Sequence, residues 1–567
     1  MSYSAPVHDL MVALKVAGGL DSDIYPELQA EDAKAILDEA GRFASERIAP
    51  INRAGDTQGA RMVNGRVVTA DGWAETYRDW CAAGWSGLTG HTAFGGQGLP
   101  MIMAAACAEM WNAASIAFAV NFLLTTGAIE AITAHASPEL KEYYLPKMVA
   151  GVWTGTMNLT EPQSGSDLSG LRCKAERHAD GSYRITGTKI FITCGDHDWA
   201  DNIIHLVLAR LSDAPPGTRG ISLFLVPKVL PDGALNDVRC HALEHKLGLH
   251  GSPTCTMIYG DKGGATGWLI GEENRGLNCM FTMMNSARLL VGVQGVGLAE
   301  RATQAAIAYA RQRQQGKAPG AHERQSHIIA HPDVKRMLLE MQGKTMAARL
   351  LCMATAAAID QSVRSTGEGA RMAAQARASL LTPLAKSFAT DIAVEVTSLG
   401  LQVHGGMGYV EETGVAQYYR DARILPIYEG TNGIQAIDLI TRKLQLENGQ
   451  TLHRELERCS HSMARWEKTF GQKLELHQTV LAVEKAAHAI VSFDPASALA
   501  VAHPFQRALA ATLASGHLID MALEGKSDPD KNFQQSSCLH FLSTEIPKAK
   551  ACCDTLEMQA DAVSSFH

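Results

Sequence analysis

The stretch Ile427-Tyr428-Glu429-Gly430-Thr431-Asn432-Gly433-Ile434-Gln435 places one carboxylate beside a glycine at the head of an amphipathic run. Gly430 lacks a Cβ and admits a backbone or a ligand at close range. Downstream, Ile434, Ile437, Leu439, Ile440 and Leu444 recur at helical spacing and predict a helix beginning near Thr431. On residues alone Glu429 has two readings. It is an ordinary first-turn acid favoured by the helix dipole, or a carboxylate whose pKa is raised by apolar Ile427 and Tyr428, able to accept a proton near neutrality. Upstream stand a glycine cluster, Gln402-Val403-His404-Gly405-Gly406-Met407-Gly408-Tyr409, and the turn Arg420-Asp421-Ala422-Arg423.

Around this stretch the pattern is helical. Runs at 280–314, 332–359 and 370–399, the last with a kink expected at Pro383, join the run from 431 in a four-helix bundle. Before residue 153 the chain is also helical, rich in Ala and Met, with a hairpin signal at Asn64-Gly65 and a glycine loop at 94–100. Between 153 and 270 the pattern alternates. Strands are expected at 183–185, 189–193, 203–209, 221–226 and 254–258, separated by turn signals such as Asp180-Gly181, and imply a small β-barrel or sandwich. Beyond 445 four more helices are expected, at 451–470, 474–491, 504–523 and 536–562. The predicted segments are an arm at 1–34, a helical domain at 35–152, a β domain at 153–270, the bundle at 271–445 and a helical extension at 446–567. The fold class is mainly α with a central β domain.

Composition narrows the function. With 567 residues, 46% hydrophobic and 19% charged, the chain is that of a multidomain globular protein. A net charge of −8 argues against nucleic acid as the main partner. So does the extension, where 11 Lys and Arg face 15 Asp and Glu. Twelve cysteines without a Cys-x-x-Cys pair suit reduced thiols rather than a disulfide framework or a metal site. No signal peptide is apparent, and no apolar run is expected to reach the roughly 18 residues of a membrane span, so a cytoplasmic location is expected.

A second motif, Leu159-Thr160-Glu161-Pro162-Gln163-Ser164-Gly165-Ser166-Asp167, lines up hydroxyls and backbone donors suited to a polar ring edge and a pyrophosphate. With Tyr428-Glu429-Gly430-Thr431, the 405–408 glycines and Arg420-Asp421, it resembles the signature of the acyl-CoA dehydrogenase family. The resemblance spans roughly residues 35–445. The arm Tyr3-Ser4-Ala5-Pro6-Val7, the segment 245–255 and the extension are most similar to the larger members, bacterial 3-methylthiopropanoyl-CoA dehydrogenases above all.

The resemblance implies bound FAD and an acyl-CoA substrate. Glu429 would remove the α-proton while hydride passes to the flavin, with Arg288 beside it. One branch of the family carries its base where this chain has Ala287, which cannot take a proton. Met157, Leu159, Thr160, Phe191 and Thr193 would lie along the flavin, Phe191 standing where the family often has Trp. Gly165 and Ser166 would touch phosphates, Ser166 together with Tyr428 and Gly430 would contact substrate, and Thr431 would contact the cofactor. Arg313, or Arg311 in its stead, and Gln402, Gly405 and Gly406 would reach the FAD of a partner subunit, which implies at least a homodimer. Electron-transfer flavoprotein is the expected acceptor. An acyl-CoA oxidase and an alkylation-response flavoprotein with a DNA-associated role share the fold and are the alternatives.

Overall fold

Helical periodicity gives way to alternation after residue 150 and returns near 276, and the secondary structure follows it. The computed structural model describes residues 3–471, 473–524 and 531–566. Helices α1 (Val7–Val16), α2 (Ala30–Phe43), α3 (Ala49–Gln58), α4 (Trp73–Ala82), α5 (Met101–His135) and α6 (Pro138–Val149) precede the main sheet. The strands β1 (Arg61–Val63) and β2 (Arg66–Val68) form the hairpin that Asn64 and Gly65, both at positive φ, predict. Then come β3 (Trp153–Asn158), β4 (Lys174–Arg177), β5 (Tyr183–Thr193), β6 (Asn202–Leu211), β7 (Ile221–Pro227), β8 (Val238–Leu243), β9 (Thr254–Tyr259) and β10 (Ala265–Ile270). The remaining helices are α7 (Gly276–Gln312), α8 (Pro332–Arg364), α9 (Glu368–His404), α10 (Val415–Ala422), α11 (Asn432–Asp438), α12 (Gln450–Phe470), α13 (Leu476–Ser492), α14 (Pro495–Ala500), α15 (Ala502–Glu524), α16 (Lys531–Asp554) and α17 (Leu556–Ser564).

The chain forms two compact units, one of residues 1–42, 101–113 and 288–567, the other of 43–100 and 114–287. In the second unit the strands run in the order β10-β7-β6-β4-β5-β9-β8, β3 pairs in parallel with β6, and β10 also pairs with β5. That last pairing closes a ring of five strands, so the sheet is a small barrel with three strands, β3, β8 and β9, appended. Strand β7 is buried along its whole length and β6 almost so, which is why both read as continuous apolar runs. The segments 183–185 and 189–193 are one strand, β5, interrupted by a bulge between Lys189 and Ile192.

In the first unit α8 and α9 pack along their lengths, joined by a two-residue link at Thr366 and Gly367 after the helix-ending Ser365. The unit's part of α7 lies close on α9: a Cβ on Gly295 would stand 2.6 Å from the Ala389 carbonyl oxygen. Arg349, fully buried, binds Glu109 at 2.5 and 2.9 Å and Glu300 at 2.8 Å, tying α8 to α5 and α7. Asp360 accepts the first N–H groups of α5, from Met101 at 2.7 Å and Ile102 at 3.0 Å. In the extension, α15 packs on α8, α9, α12 and α16.

Four expectations are corrected. Helix α9 runs unbroken through Pro383. The fourth bundle helix is short, because α11 passes into a π-turn at Leu439–Lys443. The last helix of the extension divides at Thr555 into α16 and α17. Helix α5 is long and apolar enough to cross a membrane by length and composition, and 89% of its apolar window is buried within the protein, as in a core helix. It also departs from helical geometry at Ser115.

Arg349→Met would leave buried Glu109 and half-buried Glu300 without this cation. It is expected to destabilise the first unit by about 3–5 kcal/mol, read as a lower midpoint in thermal unfolding followed by circular dichroism.

Candidate active site

Helix α11 begins after Thr431, whose Oγ1 accepts the Ile434 N–H at 3.1 Å. Glu429 therefore lies before the helix rather than in its first turn. It adopts φ +55°, followed by Gly430 at +84°. A non-glycine residue in this region is strained and needs its surroundings to hold it. Lys386, wholly buried on α9, donates to the Gly430 carbonyl at 2.8 Å and to Asn432 Oδ1 at 2.9 Å. Gln435 Nε2 reaches the Glu429 carbonyl at 3.4 Å. The Tyr428 hydroxyl donates to Gln294 Oε1.

These fastenings act on the backbone of Glu429 and leave its functional groups open. Among the described residues its carboxylate makes no hydrogen bond and its N–H meets no protein acceptor. Glu429 is half-buried by accessible area, yet enough protein surrounds the carboxyl that burial pushes its pKa up, opposed by the Arg288 guanidinium and the Lys386 ammonium. Burial lowers Lys386 to about 7, opposed by Glu429 and Asp391. Arg288 is also lowered by burial; its Nη1 stands 4.0 Å from Asp438. Among the described residues Arg288 Nε, Gln294 Nε2 and Gln435 Oε1 are buried without protein partners, so polar demand remains around the turn.

The second constellation lies in the barrel unit. Met157 is on β3, and Leu159 and Thr160 follow the strand's end at Asn158. The Thr160 carbonyl accepts the Ile190 N–H at 2.9 Å, and Thr156 Oγ1 donates to the Thr193 carbonyl at 2.7 Å, so the β3 end and the β5 bulge are stitched together. Phe191 sits on the bulge at φ +59° with 59% of its surface exposed. The Thr160 and Thr193 hydroxyls make no hydrogen bond among the described residues. Gly165 and Ser166 are exposed on a loop organised by Glu161, which accepts the Arg172 N–H at 2.7 Å, the Cys173 N–H at 2.9 Å and buried Lys189 Nζ at 2.9 Å. An outward aromatic face, two free hydroxyls and an open glycine loop fit a flat, acceptor-rich ring system with a phosphate tail.

Residues 30–152 match the acyl-CoA dehydrogenase N-terminal domain, 156–261 the middle domain and 274–444 the C-terminal domain. The chain belongs to the acyl-CoA dehydrogenase family. Members are flavin-dependent oxidoreductases that dehydrogenate acyl-CoA thioesters, and so is this one. The chain is 51% identical over 464 residues to the 3-methylmercaptopropionyl-CoA dehydrogenase of Ruegeria pomeroyi, covering 80% of this chain and 78% of that one. Caenorhabditis elegans ACDH-11 in complex with C11-CoA has the same fold, with a TM-score of 0.77 at 20% identity over 96% of this chain and 93% of that one. So has a Bacillus anthracis acyl-CoA dehydrogenase complexed with FAD, with a TM-score of 0.74 at 22% identity over the same shares.

The structure gathers Tyr428, Glu429, Gly430, Thr431 and Arg288 in one unit and Met157, Leu159, Thr160, Gly165, Ser166, Phe191 and Thr193 in the other. Arg313, Gln402, Gly405 and Gly406 stand apart from the Glu429 turn, exposed at the ends of α7 and α9. The Tyr309 and His404 rings, stacked at 4.4 Å, bring those two ends together. Sequence reasoning missed Lys386, Asn432, Gln435, Gln294 and the Glu161–Lys189 pair. A signal existed for the two lysines: each is the lone charge at a buried position, Lys386 among Leu384, Ala385 and Phe388, Lys189 in register with Ile185.

In this acyl-CoA dehydrogenase, Arg288→Gln removes a cation that holds the Glu429 pKa down. If Glu429 is a catalytic base it acts deprotonated, and the rising limb of the kcat/KM–pH profile is then expected to move to higher pH, measured by dye-coupled turnover. Glu161→Gln weakens the acceptor that holds the 161–173 loop, and if that loop binds the flavin the purified variant is expected to carry less flavin per chain, read from the visible-to-ultraviolet absorbance ratio.

Proposed function

We propose that this enzyme converts a short or medium acyl-CoA, 3-methylthiopropanoyl-CoA foremost, to the trans-2-enoyl-CoA, with FAD as cofactor and Glu429 as the base. The observation that carries the base assignment is the Glu429 carboxylate itself, engaged by no hydrogen bond on a turn whose backbone is fixed on both sides. The 51% identity with the Ruegeria pomeroyi enzyme supports the substrate.

Glu429 takes the proton α to the thioester carbonyl. The raised pKa brings its basicity closer to neutrality, which suits proton abstraction from carbon. The free Glu429 N–H is available to the thioester oxygen as negative charge develops there, a pre-oriented donor in the sense of an oxyanion hole. Gly430, without a Cβ, leaves room for the thioester to approach. Arg288 and Lys386 favour the ionised carboxylate before transfer. The flavin, when bound, supplies the acceptor for the β-hydride. Phe191, Thr160 and Thr193 would hold its ring, Gly165 and Ser166 its phosphates.

Electron-transfer flavoprotein is the acceptor we assign, from kinship with the family, in preference to oxygen. A homodimer is supported by the exposed α9 end, where Met407 and Tyr409 project apolar surface beside Gly405 and Gly406. The twelve free cysteines support a reducing, cytoplasmic location.

Anaerobic mixing with acyl-CoAs from short to long, 3-methylthiopropanoyl-CoA included, tests the reading. Bleaching of the oxidised flavin is expected, strongest with the methylthio substrate. Glu429→Gln is expected to slow it about 100- to 10,000-fold. Absence of bleaching with every thioester in flavin-loaded enzyme would overturn the activity, and turnover with oxygen matching the dye-coupled rate would reassign the enzyme as an oxidase.

A further inference from the structure

We propose that the C-terminal extension holds the catalytic base in place through a polar chain, Arg507–Asp391–Asn432–Lys386, that ends on the carbonyl of Gly430. The inference rests on Glu429 being the base. It makes α15 a positioning element of the active site.

Each link has one chemical sense. Lys386 Nζ donates to the Gly430 carbonyl at 2.8 Å and to Asn432 Oδ1 at 2.9 Å. The Asn432 amide nitrogen donates to Asp391 Oδ1 at 2.8 Å and to Thr390 Oγ1 at 3.0 Å. An ammonium only donates and a carboxylate only accepts, so the amide between them is held in a single orientation. The other Asp391 oxygen faces the extension, 3.5 Å from His503 Nε2 and 4.0 Å from Arg507 Nη1.

Arg507 is itself fixed from three sides. Its Nη2 stands 3.0 Å from Glu395 and 3.5 Å from Glu545, and its guanidinium lies 5.1 Å over the Phe388 ring. One residue earlier on α15, Gln506 Nε2 donates to the Pro383 carbonyl at 3.1 Å, three residues before Lys386 on α9. The extension thus grips α9 on both sides of the lysine that restrains the base.

The turn needs such a restraint. Glu429 at φ +55° is strained and relaxes if its neighbours loosen. Misplacement of a catalytic group by about 1 Å can cost on the order of 100-fold in rate. The extension lies outside the matched family domains, which end at residue 444, so α15 supplies a contact that those domains do not contain.

The test uses full-length, flavin-loaded enzyme. The limiting rate of anaerobic flavin bleaching by 3-methylthiopropanoyl-CoA is measured beside the Kd for the corresponding enoyl-CoA, for Arg507→Met, Arg507→Lys, Lys386→Met and the double variant Arg507→Met with Lys386→Met. Arg507→Met is expected to lower the rate about tenfold with product affinity unchanged, and Arg507→Lys to recover most of it. The double variant should fall no further than Lys386→Met alone, since both act through one chain.

A wild-type bleaching rate in Arg507→Met, or losses that add in the double variant, would overturn the proposal. Arg465→Gln breaks the Arg465–Asp520 pair elsewhere in the extension and should leave the rate unchanged. A loss equal to that of Arg507→Met would mean general loosening and would also overturn it. If Lys386→Met fails to retain flavin, the two Arg507 variants decide. Wild-type bleaching in Glu429→Gln would instead overturn the base assignment, whatever the extension does.

Discussion

A lysine ammonium placed wholly inside a protein must find acceptors, and Lys386 finds them in the Gly430 carbonyl and the Asn432 side chain. The demand runs both ways. The lysine tolerates its burial because the turn presents oxygens to it, and the turn keeps its left-handed conformation because the lysine is there. Everything that makes Glu429 useful follows from that mutual need, since the fastening engages backbone and leaves carboxylate and N–H open.

The barrel unit solves a similar problem with the same device. Glu161 and Lys189 are buried together, and the carboxylate also collects two backbone N–H groups of a loop that would otherwise have no internal partner. Burial raises the Glu161 pKa while the lysine and the N–H groups lower it, and the balance lies below the ordinary value. In both units a buried charge organises a glycine-bearing loop whose outward groups remain free. The polar atoms meant for ligands are those the internal network does not consume.

Much of this was legible in the residues. The switch from helical to alternating pattern, the apolar strands β6 and β7, the Asn64-Gly65 hairpin and the two long motifs are all local signals. What escaped was non-local or masked. Strand β3 reads Trp-Thr-Gly-Thr-Met-Asn, where Gly155 and Asn158 are weak strand formers and the polar residues are buried along with the apolar ones. Strands β4 and β8 are short or half-exposed and carry charge. The Lys386–Gly430 contact spans 44 residues, and no spacing rule announces it. The position of Glu429 ahead of the helix, rather than within it, depended on Thr431 taking the cap, a choice that sequence alone leaves open between neighbouring residues.

The left-handed backbone of Glu429 also bears on how the chain tolerates change. Glycine and asparagine occupy φ +55° more comfortably than glutamate does. Substitutions at this position that relieve strain thus gain stability while discarding the carboxylate, so selection for robustness alone would drift away from catalysis here. The residue we propose as the base is one its fold would be more at ease without.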